Sequence, residues 1–391
     1  MYAVTLRKKE DGSQILIYDD ILSVDGINAI DPVLVREINS AGSLTITLPT
    51  VNNGYDLAES PDYEYVVYRE DENKQKKEIW RGRAVLVDTD FWNNKKITCE
   101  GELAYFNDTI QPNNEWTNKT VEQYLSYLLT THNENLYFYD KIHLGHVTFG
   151  ANQETYWYTD FNSTLTYLTD VLLQYHGGFF YLRHSSTGTR YLDYYMSYDD
   201  YDTIIRDGKN TNQQIRYASN MIDVSKQLDR GDIYTAVIPL GAVKDTSPYL
   251  LLDDYYTVES VSPDGIYVLN NDAIELYGRK ETVIHYDEET NPTKLYNKGA
   301  KFLSDIQFDS IAFEVTAFDL HYADLSIDAI DLFDRVPIIS KPHNLNKIVP
   351  VTSIETPLNE PSKSKIVLNG STKGKKKKIS YMAVKNNKKN K

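Results

Sequence analysis

The amino-acid sequence predicts a mainly β protein in which α+β segments are inserted between two β units. Three observations lead to this fold class. The first hundred residues alternate short apolar strands with polar turns, helical periodicity begins only after Pro112, and strand patterns return near residues 233 and 311. A chain of 391 residues also exceeds what one hydrophobic core usually organises, so we expect several compact units.

Residues 1–111 are predicted to form an antiparallel β domain. Strands at Tyr2 to Arg7 and Gln14 to Tyr18 flank Asp11-Gly12, a pair that favours a two-residue hairpin turn. From Leu44 to Leu48, leucine and isoleucine alternate with threonine, so we expect one buried face and one polar face. A run of such short strands with regular turns is typical of a closed barrel or a sandwich.

Residues 112–215 are predicted to form an inserted α+β domain, which begins at the ladder-breaking Pro112. Apolar residues at helical spacing indicate a first helix, which Thr120 and Gln123 can start with a capping box. The apolar face comprises Val121, Tyr124, Leu125, Leu128 and Leu129. A second helix is predicted from about 163 to 175, with Leu165, Leu168, Leu172 and Tyr175 on one face and a stop at Gly177-Gly178.

The remaining sequence is predicted to hold a second β unit with a smaller insertion inside it. Residues 216–245 supply its return strands, residues 246–307 a smaller α/β domain, and residues 308–370 the rest of the β unit. In the smaller domain, Asn291 can cap a helix whose first residue is Pro292. Residues 371–391 have the composition of a basic disordered tail.

Charge is distributed unevenly along the chain. The net charge is −15, yet the stretch from Ser362 to Lys391 holds eleven lysines and no acidic residue. Removing those eleven positive charges from −15 leaves −26 on the body. An acidic body repels nucleic acid. The run Lys375 to Lys378 could contact nucleic acid or teichoic acid, act as a nuclear signal, or only solubilise the chain.

Composition also bears on contacts and location. The chain has 32 tyrosines against 12 phenylalanines. Because a tyrosine side chain combines an apolar ring with a polar hydroxyl, it suits partly solvated interfaces with other chains or with sugars. No run of 18 apolar residues is present, so we predict no membrane span. The single cysteine, Cys99, lies among apolar neighbours and is interpreted as a buried, unreactive thiol.

Few residues are candidates for catalysis or metal binding. His143 and His146 form a close pair, but Gly145 favours a strand or turn over the helix that i, i+3 chelation needs. The adjacent carboxylates Asp199-Asp200 and Asp253-Asp254 are interpreted as solvated turn residues, with weak calcium binding as the alternative. Zinc-protease, nucleophile-elbow and phosphate-loop motifs are missing from the sequence. We therefore predict no catalytic residue, no metal site, no cofactor-binding residue and no cofactor.

One stretch resembles a known protein family. Cys99-Glu100-Gly101-Glu102-Leu103-Ala104-Tyr105-Phe106-Asn107-Asp108, preceded by Ile79-Trp80-Arg81-Gly82-Arg83, resembles the N-terminal region of phage tail-tip proteins of Gram-positive hosts, the tail-associated lysin or prophage endopeptidase-tail family. Further pieces agree, namely His132-Asn133, Gly177-Gly178, Tyr191-Leu192-Asp193-Tyr194, Val237-Ile238-Pro239-Leu240-Gly241-Ala242, and Ala273-Ile274 with Tyr277-Gly278. The resemblance covers about residues 1–370.

The resemblance implies a fold similar to the baseplate hub of contractile-tailed phages. Two tube-like β-barrel domains with inserted α+β domains would form a homotrimer whose barrels match the sixfold tail tube. Such a trimer caps the tube, converts sixfold to threefold symmetry, and then lets the tape-measure protein and DNA pass. The implied partners also include distal tail and tail-tube proteins and receptor-binding or baseplate proteins. The implied location is the tip of the virion tail, after synthesis in the bacterial host cytoplasm.

The C-terminus separates this chain from many members of the family, which continue into a peptidoglycan hydrolase or a receptor-binding region. This sequence stops about twenty residues after Gly370, so we expect a structural hub rather than an enzyme. Two alternatives stay open. One is a cell-wall peptidoglycan hydrolase using the pair His143 and His146, and the other is a carbohydrate-binding host-recognition module using tyrosine platforms such as Tyr194-Tyr195.

Overall fold

The computed structural model describes residues 2–20, 28–70, 75–148, 155–173, 176–185, 188–206, 211–228, 234–244, 251–287, 289–308, 311–324, 326–342 and 345–369. The chain divides into two compact units, the first comprising residues 1–224 and 314–368 and the second residues 225–313. No described helix is both long enough and apolar enough to cross a membrane. The predicted domain boundaries at residues 112, 216, 246 and 308 stay predictions.

The first unit begins with antiparallel strands over residues 2–107, which we call the first β segment. Its strands are β1 (Tyr2–Lys8), β2 (Gln14–Asp19), β3 (Ile30–Glu37), β4 (Ser43–Leu48), β5 (Tyr63–Glu70), β6 (Lys76–Thr89) and β7 (Lys95–Gly101), and two 3-10 helices lie at Tyr55–Leu57 and Glu102–Asn107. The predicted hairpin between β1 and β2 is confirmed, with Arg7 opposite Gln14. Its turn is longer than the two residues predicted, because Lys8 N–H donates to the Ser13 carbonyl.

The alternation predicted in β4 is confirmed. Leu44, Ile46 and Leu48 are fully buried, and the serine and threonines between them are only partly buried. The three apolar side chains join one core with Val4, Val67 and other buried residues of this segment. Because side chains alternate across a strand, Leu44, Ile46 and Leu48 all reach this core from one face of β4.

Residues 112–215, which we call the α+β insertion, contain both helices and strands. The elements are β8 (Asn114–Lys119), α1 (Val121–Asn133), β9 (Ile142–Val147), β10 (Thr155–Thr159), α2 (Thr164–Thr166) continued by a π-helix (Tyr167–Leu173), β11 (Phe179–His184), β12 (Arg190–Tyr195), α3 (Tyr198–Ile204) and β13 (Ile215–Arg216). Strands β11, β12 and β9 form one sheet and β10 with β8 another. The capping box of Thr120 and Gln123 is confirmed by both of its hydrogen bonds, and all five predicted apolar residues of α1 are buried.

The second predicted helix differs from an ordinary α-helix. It starts where Ser163 accepts a hydrogen bond from Thr166 N–H, but after Tyr167 its turns widen into a π-helix. The wider turn buries Tyr167, Leu168 and Leu172 together, which includes two residues adjacent in sequence. Leu165 is only partly buried, and Tyr175 lies outside the described residues.

The second unit is a small sheet with a helix against it. After β14 (Met221–Leu228), its elements are β15 (Ala236–Leu240), a 3-10 helix (Leu252–Asp254), β16 (Val268–Leu269), α4 (Asn271–Tyr277), β17 (Glu281–His285) and α5 (Pro292–Phe308). The predicted cap of α5 is confirmed, because Asn291 Oδ1 accepts the Lys294 N–H at 3.0 Å. Gly299 lets α5 approach β15, since a Cβ atom there would lie 3.2 Å from Pro239.

Residues 311–369 are called the closing segment, and residues 314–368 of it belong to the first unit. The strands here are β18 (Ile311–Ala317), β19 (Arg335–Ser340), β20 (Leu345–Pro357) and β21 (Lys365–Asn369), with 3-10 helices at Leu320–Tyr322 and Pro361–Lys363. Strand β20 pairs with β19 over its first half and with β3 over Ser353 to Pro357.

Strand β20 therefore makes one sheet out of the two predicted β units. The described strands run in the order β21-β20-β3-β4-β7-β6-β5-β1-β2, with β19 also on β20 and β13 on β19. The prediction of a mainly β fold is confirmed. The described pairings close neither β unit into a barrel, so the two barrels stay a prediction.

Candidate functional site

The predicted histidine pair lies on β9, on one face of its sheet. β9 pairs in parallel with β12, and a β-bulge shifts the register between Leu144 and Val147. His143 lies against Tyr191, and His146 Nδ1 is 3.3 Å from the Tyr195 hydroxyl and 3.6 Å from Asp193. Among the described residues, no three His, Cys, Asp or Glu side chains are grouped to hold a metal ion.

The contacts of the other candidate residues, Cys99 and the aspartate pairs, are those of structural residues. Cys99 is buried in β7, and burial raises the pKa of its thiol. Asp200 accepts hydrogen bonds from Ser197 and Thr148, and Asp254 accepts one from the Leu251 N–H. Asp200 and Asp254 therefore each stabilise a local turn or helix start. The run Lys375 to Lys378 lies outside the described residues.

The tyrosine platform predicted at Tyr194-Tyr195 is wrong. Both side chains are fully buried. Tyr194 packs in the core that α1 shares with β12, and Tyr195 packs with Phe179 and Tyr201 on the other face. Because both faces of β12 are covered, neither ring is free to stack on a sugar.

A buried ionic cluster joins the α+β insertion to the first β segment. We call it the seam cluster, and its members are Glu64, Arg81, Glu102, His184 and Arg190. Arg190, at the start of β12, donates from Nε to Glu102 Oε1 at 2.5 Å. It also donates to the Glu64 carboxylate and to the Tyr139 carbonyl. The side chains of Arg190 and Glu64 are 2% and 0% exposed, so this ion pair is buried and not accessible to solvent.

The seam cluster pairs its charges within itself and with Glu78. Among the described residues, two of its buried atoms lack a hydrogen bond, Glu64 Oε2 and Arg81 Nη1, and these lie 3.8 Å apart. Arg81 donates to Glu78 at 2.9 Å and 2.7 Å. Burial alone would raise the pKa of Glu102, but the cations His184 and Arg190 hold that pKa well below its usual value. Glu102 is therefore a carboxylate in the folded protein, and removing any cation of the cluster leaves a buried charge without its partner.

An asparagine amide provides a second attachment of the α+β insertion. Asn39, in the turn after β3, has a φ of +60°. Its Oδ1 accepts the Phe180 N–H at 2.9 Å, and its Nδ2 donates to the Gly178 carbonyl at 3.1 Å. The amide thus pairs with the edge of β11 as another strand would. Strand β11 is held at its start by Asn39 and at its end by the seam cluster.

A second ionic group joins the first β segment to the closing segment. Asp331 accepts from Arg36 Nη1 at 2.6 Å and from Arg69 Nη2 at 2.7 Å, and we call these three residues the closing triad. The hydroxyls of Tyr2 and Tyr322 lie 2.6 Å apart and add a hydrogen bond between the same two segments.

One polar cavity of about 1150 Å³ is lined by members of both groups. The closing triad contributes all three of its residues, and the seam cluster contributes Arg81, Glu102 and His184. Six Arg or Lys and seven Asp or Glu side chains line it, so it has no strong field of one sign to hold a polyanion. The residues of the closing triad and of the seam cluster that line it are paired with one another or with Glu78, so they hold segments together.

The hairpin of β6 and β7 presents an unusual exposed surface. Val85, Leu86, Phe91 and Trp92, which we call the hairpin tip, are 52%, 54%, 88% and 75% exposed. Asp90 Oδ1 accepts the N–H groups of Trp92 and Asn94, both at 2.8 Å, which fixes the turn. Two exposed aromatic side chains on this fixed turn, with two exposed aliphatic side chains on the adjoining strand β6, are typical of a surface that contacts another chain.

Comparison with known proteins gives the fold a context. Residues 209–378 match the model of the family described as prophage endopeptidase tail. The prophage tail protein gp18 from Listeria monocytogenes EGD-e is 16% identical with a TM-score of 0.56, and 95% of each chain is covered. The prophage MuSo2 43 kDa tail protein from Shewanella oneidensis is 11% identical with a TM-score of 0.58, covering 95% of this chain and 100% of that one. The tail protein from Neisseria meningitidis MC58 is 11% identical with a TM-score of 0.56, covering 94% and 96%.

The three solved structures resemble this chain in fold, while their sequence identity to it is low. No curated protein sequence matches this chain. At 11–16% identity the solved structures show a shared fold. The resemblance to phage tail proteins, predicted from the sequence, is confirmed.

Proposed function

We propose that this chain, which has the fold of prophage tail proteins and matches the prophage endopeptidase tail family over residues 209–378, is a structural subunit of a phage tail tip. In this proposal it is not an enzyme and forms a homotrimeric ring. Each chain contributes one barrel from residues 1–111 and another from residues 216–245 and 308–370. The inserted domains comprise residues 112–215 and 246–307.

The ring caps the tail tube, adapts sixfold to threefold symmetry, and opens for the tape-measure protein and DNA. Its neighbours in the virion are distal tail, tail-tube and receptor-binding or baseplate proteins of a phage of Gram-positive bacteria. The acidic body supports this role, because a conduit with a charge of −26 outside its lysine-rich end does not retain DNA.

The internal ionic groups support a structural role. A subunit that transmits a closing or opening motion needs segments that keep their relative positions. In the first unit, β20 makes one sheet out of the first and last strands, the closing triad reinforces that join, and the seam cluster fixes the α+β insertion.

The hairpin tip is the observation that carries the oligomeric proposal. Its exposed apolar side chains and the rigid Asp90 turn predict a contact with another copy of the chain. Replacing Phe91 and Trp92 together by serine should therefore convert a trimer to single chains. Light scattering behind a sizing column measures this directly, as a fall from three times the chain mass of 45.0 kDa to that mass.

A matched control uses another exposed aromatic pair. Tyr137 and Phe138 are 71% and 78% exposed, and replacing both by serine removes similar surface from a different place. We expect this control to stay trimeric. An unmodified protein that remains monomeric across micromolar concentrations, or a hairpin variant that remains trimeric, would contradict the proposal.

A further inference from the structure

The connection between α1 and β9 carries three consecutive aromatic residues, Tyr137, Phe138 and Tyr139, which we call the aromatic loop. Tyr137 and Phe138 are 71% and 78% exposed, and Tyr139 is partly buried. The rings of Tyr137 and Tyr139 are nearly parallel, with centroids 5.4 Å apart and 14° between their planes. Phe138 meets the Tyr139 ring edge-on at 5.3 Å. Because Tyr139 covers one face of the exposed Tyr137 ring, the other face is open to a ligand.

The backbone of the aromatic loop is fixed from several sides. The Asp140 N–H donates to the Tyr137 carbonyl at 2.9 Å, and the buried Arg190 donates to the Tyr139 carbonyl. The Asp140 carboxylate lies 3.3 Å from Nζ of Lys9, which follows β1. A ligand that binds here therefore meets a backbone that is already ordered, which is the arrangement that favours binding by a small surface.

The size of the aromatic loop suits a small ligand better than another protein chain. A stable protein interface buries about 800 Å² on each partner, whereas two aromatic side chains supply about 300–500 Å². The loop is bordered in sequence by the charged residues Glu134 and Lys141, and charged residues are depleted from the cores of protein interfaces. The hairpin tip differs, because its apolar surface continues along β6 with Val85 and Leu86.

The polar groups beside the rings indicate the chemistry of the ligand. Desolvation and the negative charges of Asp140 and Glu10 raise the pKa of the Tyr139 hydroxyl, which therefore stays protonated and can donate. Lys9 pairs with Asp140, and Lys8 pairs with Glu10. The border thus holds donors and acceptors of both charge signs, and it offers no strong field to a polyanion or a polycation. A neutral hydroxyl group, which both donates and accepts, can bond to either kind of partner.

We propose that the aromatic loop is a binding site for a neutral carbohydrate. A pyranose ring has an apolar C–H face and hydroxyl groups around its edge, so it matches flat aromatic rings with a mixed polar border. In this site the C–H face lies against Tyr137 and Phe138, and the hydroxyl groups bond to the polar groups beside Tyr139. The site belongs to one chain, so it does not depend on the trimer of the proposed function.

The test uses the full chain and a panel of oligosaccharides. An array of neutral, phosphorylated and amino-substituted oligosaccharides first identifies the class that binds, and saturation-transfer NMR titration then measures affinity for the neutral oligosaccharide that gives the strongest signal. We expect neutral oligosaccharides to bind. Replacing Tyr137 and Phe138 together by serine should weaken that affinity about tenfold or more, because two aromatic contacts are lost.

Two further variants separate the rings from general effects of mutation. Exchanging the two side chains, Tyr137→Phe with Phe138→Tyr, keeps both rings and should retain the affinity. Phe161→Ser removes an aromatic side chain that is 68% exposed at another place in the α+β insertion, and it should bind like the unmodified protein.

Several outcomes overturn the proposal. These are binding to no neutral oligosaccharide, binding only to phosphorylated or only to amino-substituted ones, and an unchanged affinity in the double serine variant. Light scattering on the same samples keeps this proposal distinct from the oligomeric one. A double serine variant that loses the trimer would mean that a second copy, not a sugar, covers the loop. An unmodified protein that is monomeric yet binds neutral oligosaccharides through these rings would contradict the trimer and support the site.

Discussion

Replacing Arg190 by methionine should lower the free energy of unfolding of the first unit by about 3–5 kcal/mol, the usual result of breaking a buried ion pair from one side. Methionine keeps most of the side-chain length but leaves Glu64 and Glu102 buried without their main cation. It also removes the donor to the Tyr139 carbonyl. The measurement is a urea titration at pH 7 followed by tryptophan fluorescence.

Two comparisons make the Arg190 result specific. Lys365 forms an ion pair with Glu355 whose side chains are 53% and 44% exposed, so Lys365→Met should cost less than ~1 kcal/mol. Adding Glu64→Gln to Arg190→Met should recover part of the loss, because a buried amide is less costly than a buried carboxylate. Equal losses for Arg190→Met and Lys365→Met would show that the seam cluster does not hold the α+β insertion.

Predictions that depend on neighbouring residues succeeded. The capping box of Thr120 and Gln123 and the cap of Asn291 on Lys294 each involve residues three apart, so their chemistry is visible in a short window. The alternation in β4 is equally local. The π-helix after Tyr167 was missed, because the α-helical period assumes a constant turn and the burial of adjacent Tyr167 and Leu168 depends on the surrounding core.

The seam cluster was missed for a different reason. Its pairs join residues 88 and 126 positions apart, Arg190 with Glu102 and Arg190 with Glu64. A partial signal existed, since Glu64 directly precedes the apolar run Tyr65-Val66-Val67 in a strand. A carboxylate in that setting requires a partner, but the sequence does not identify Arg190 among many cations. The pairing of β20 with β3 joins residues still farther apart in the sequence, such as Ser353 and Glu37, which is why two separate β units were predicted.

Replacing Asp331 by asparagine should lower the stability of the first unit by about 3 kcal/mol at pH 7. Asparagine keeps the shape but removes the charge that Arg36 and Arg69 share, and those side chains are only 9% and 13% exposed. Two guanidinium groups then face each other across a neutral amide. Asp324→Asn is the control, because within the described part of the chain that exposed side chain bonds to Ser326 in its own turn. We expect the control to match the unmodified protein.

The effect of Asp331→Asn should also depend on pH in a defined direction. Burial raises the pKa of Asp331, but Arg36 and Arg69 outweigh it and hold that pKa well below its usual value. A carboxyl group with a depressed pKa stabilises the fold above its unfolded pKa of about 4 and loses this contribution as the pH falls. The difference between the unmodified protein and Asp331→Asn should therefore shrink as the pH falls from 5 towards 3, a range below the pKa of about 6 to which burial raises the neighbouring Asp334. A difference that grows on acidification would mean that the carboxylate is not the charge joining the first β segment to the closing segment.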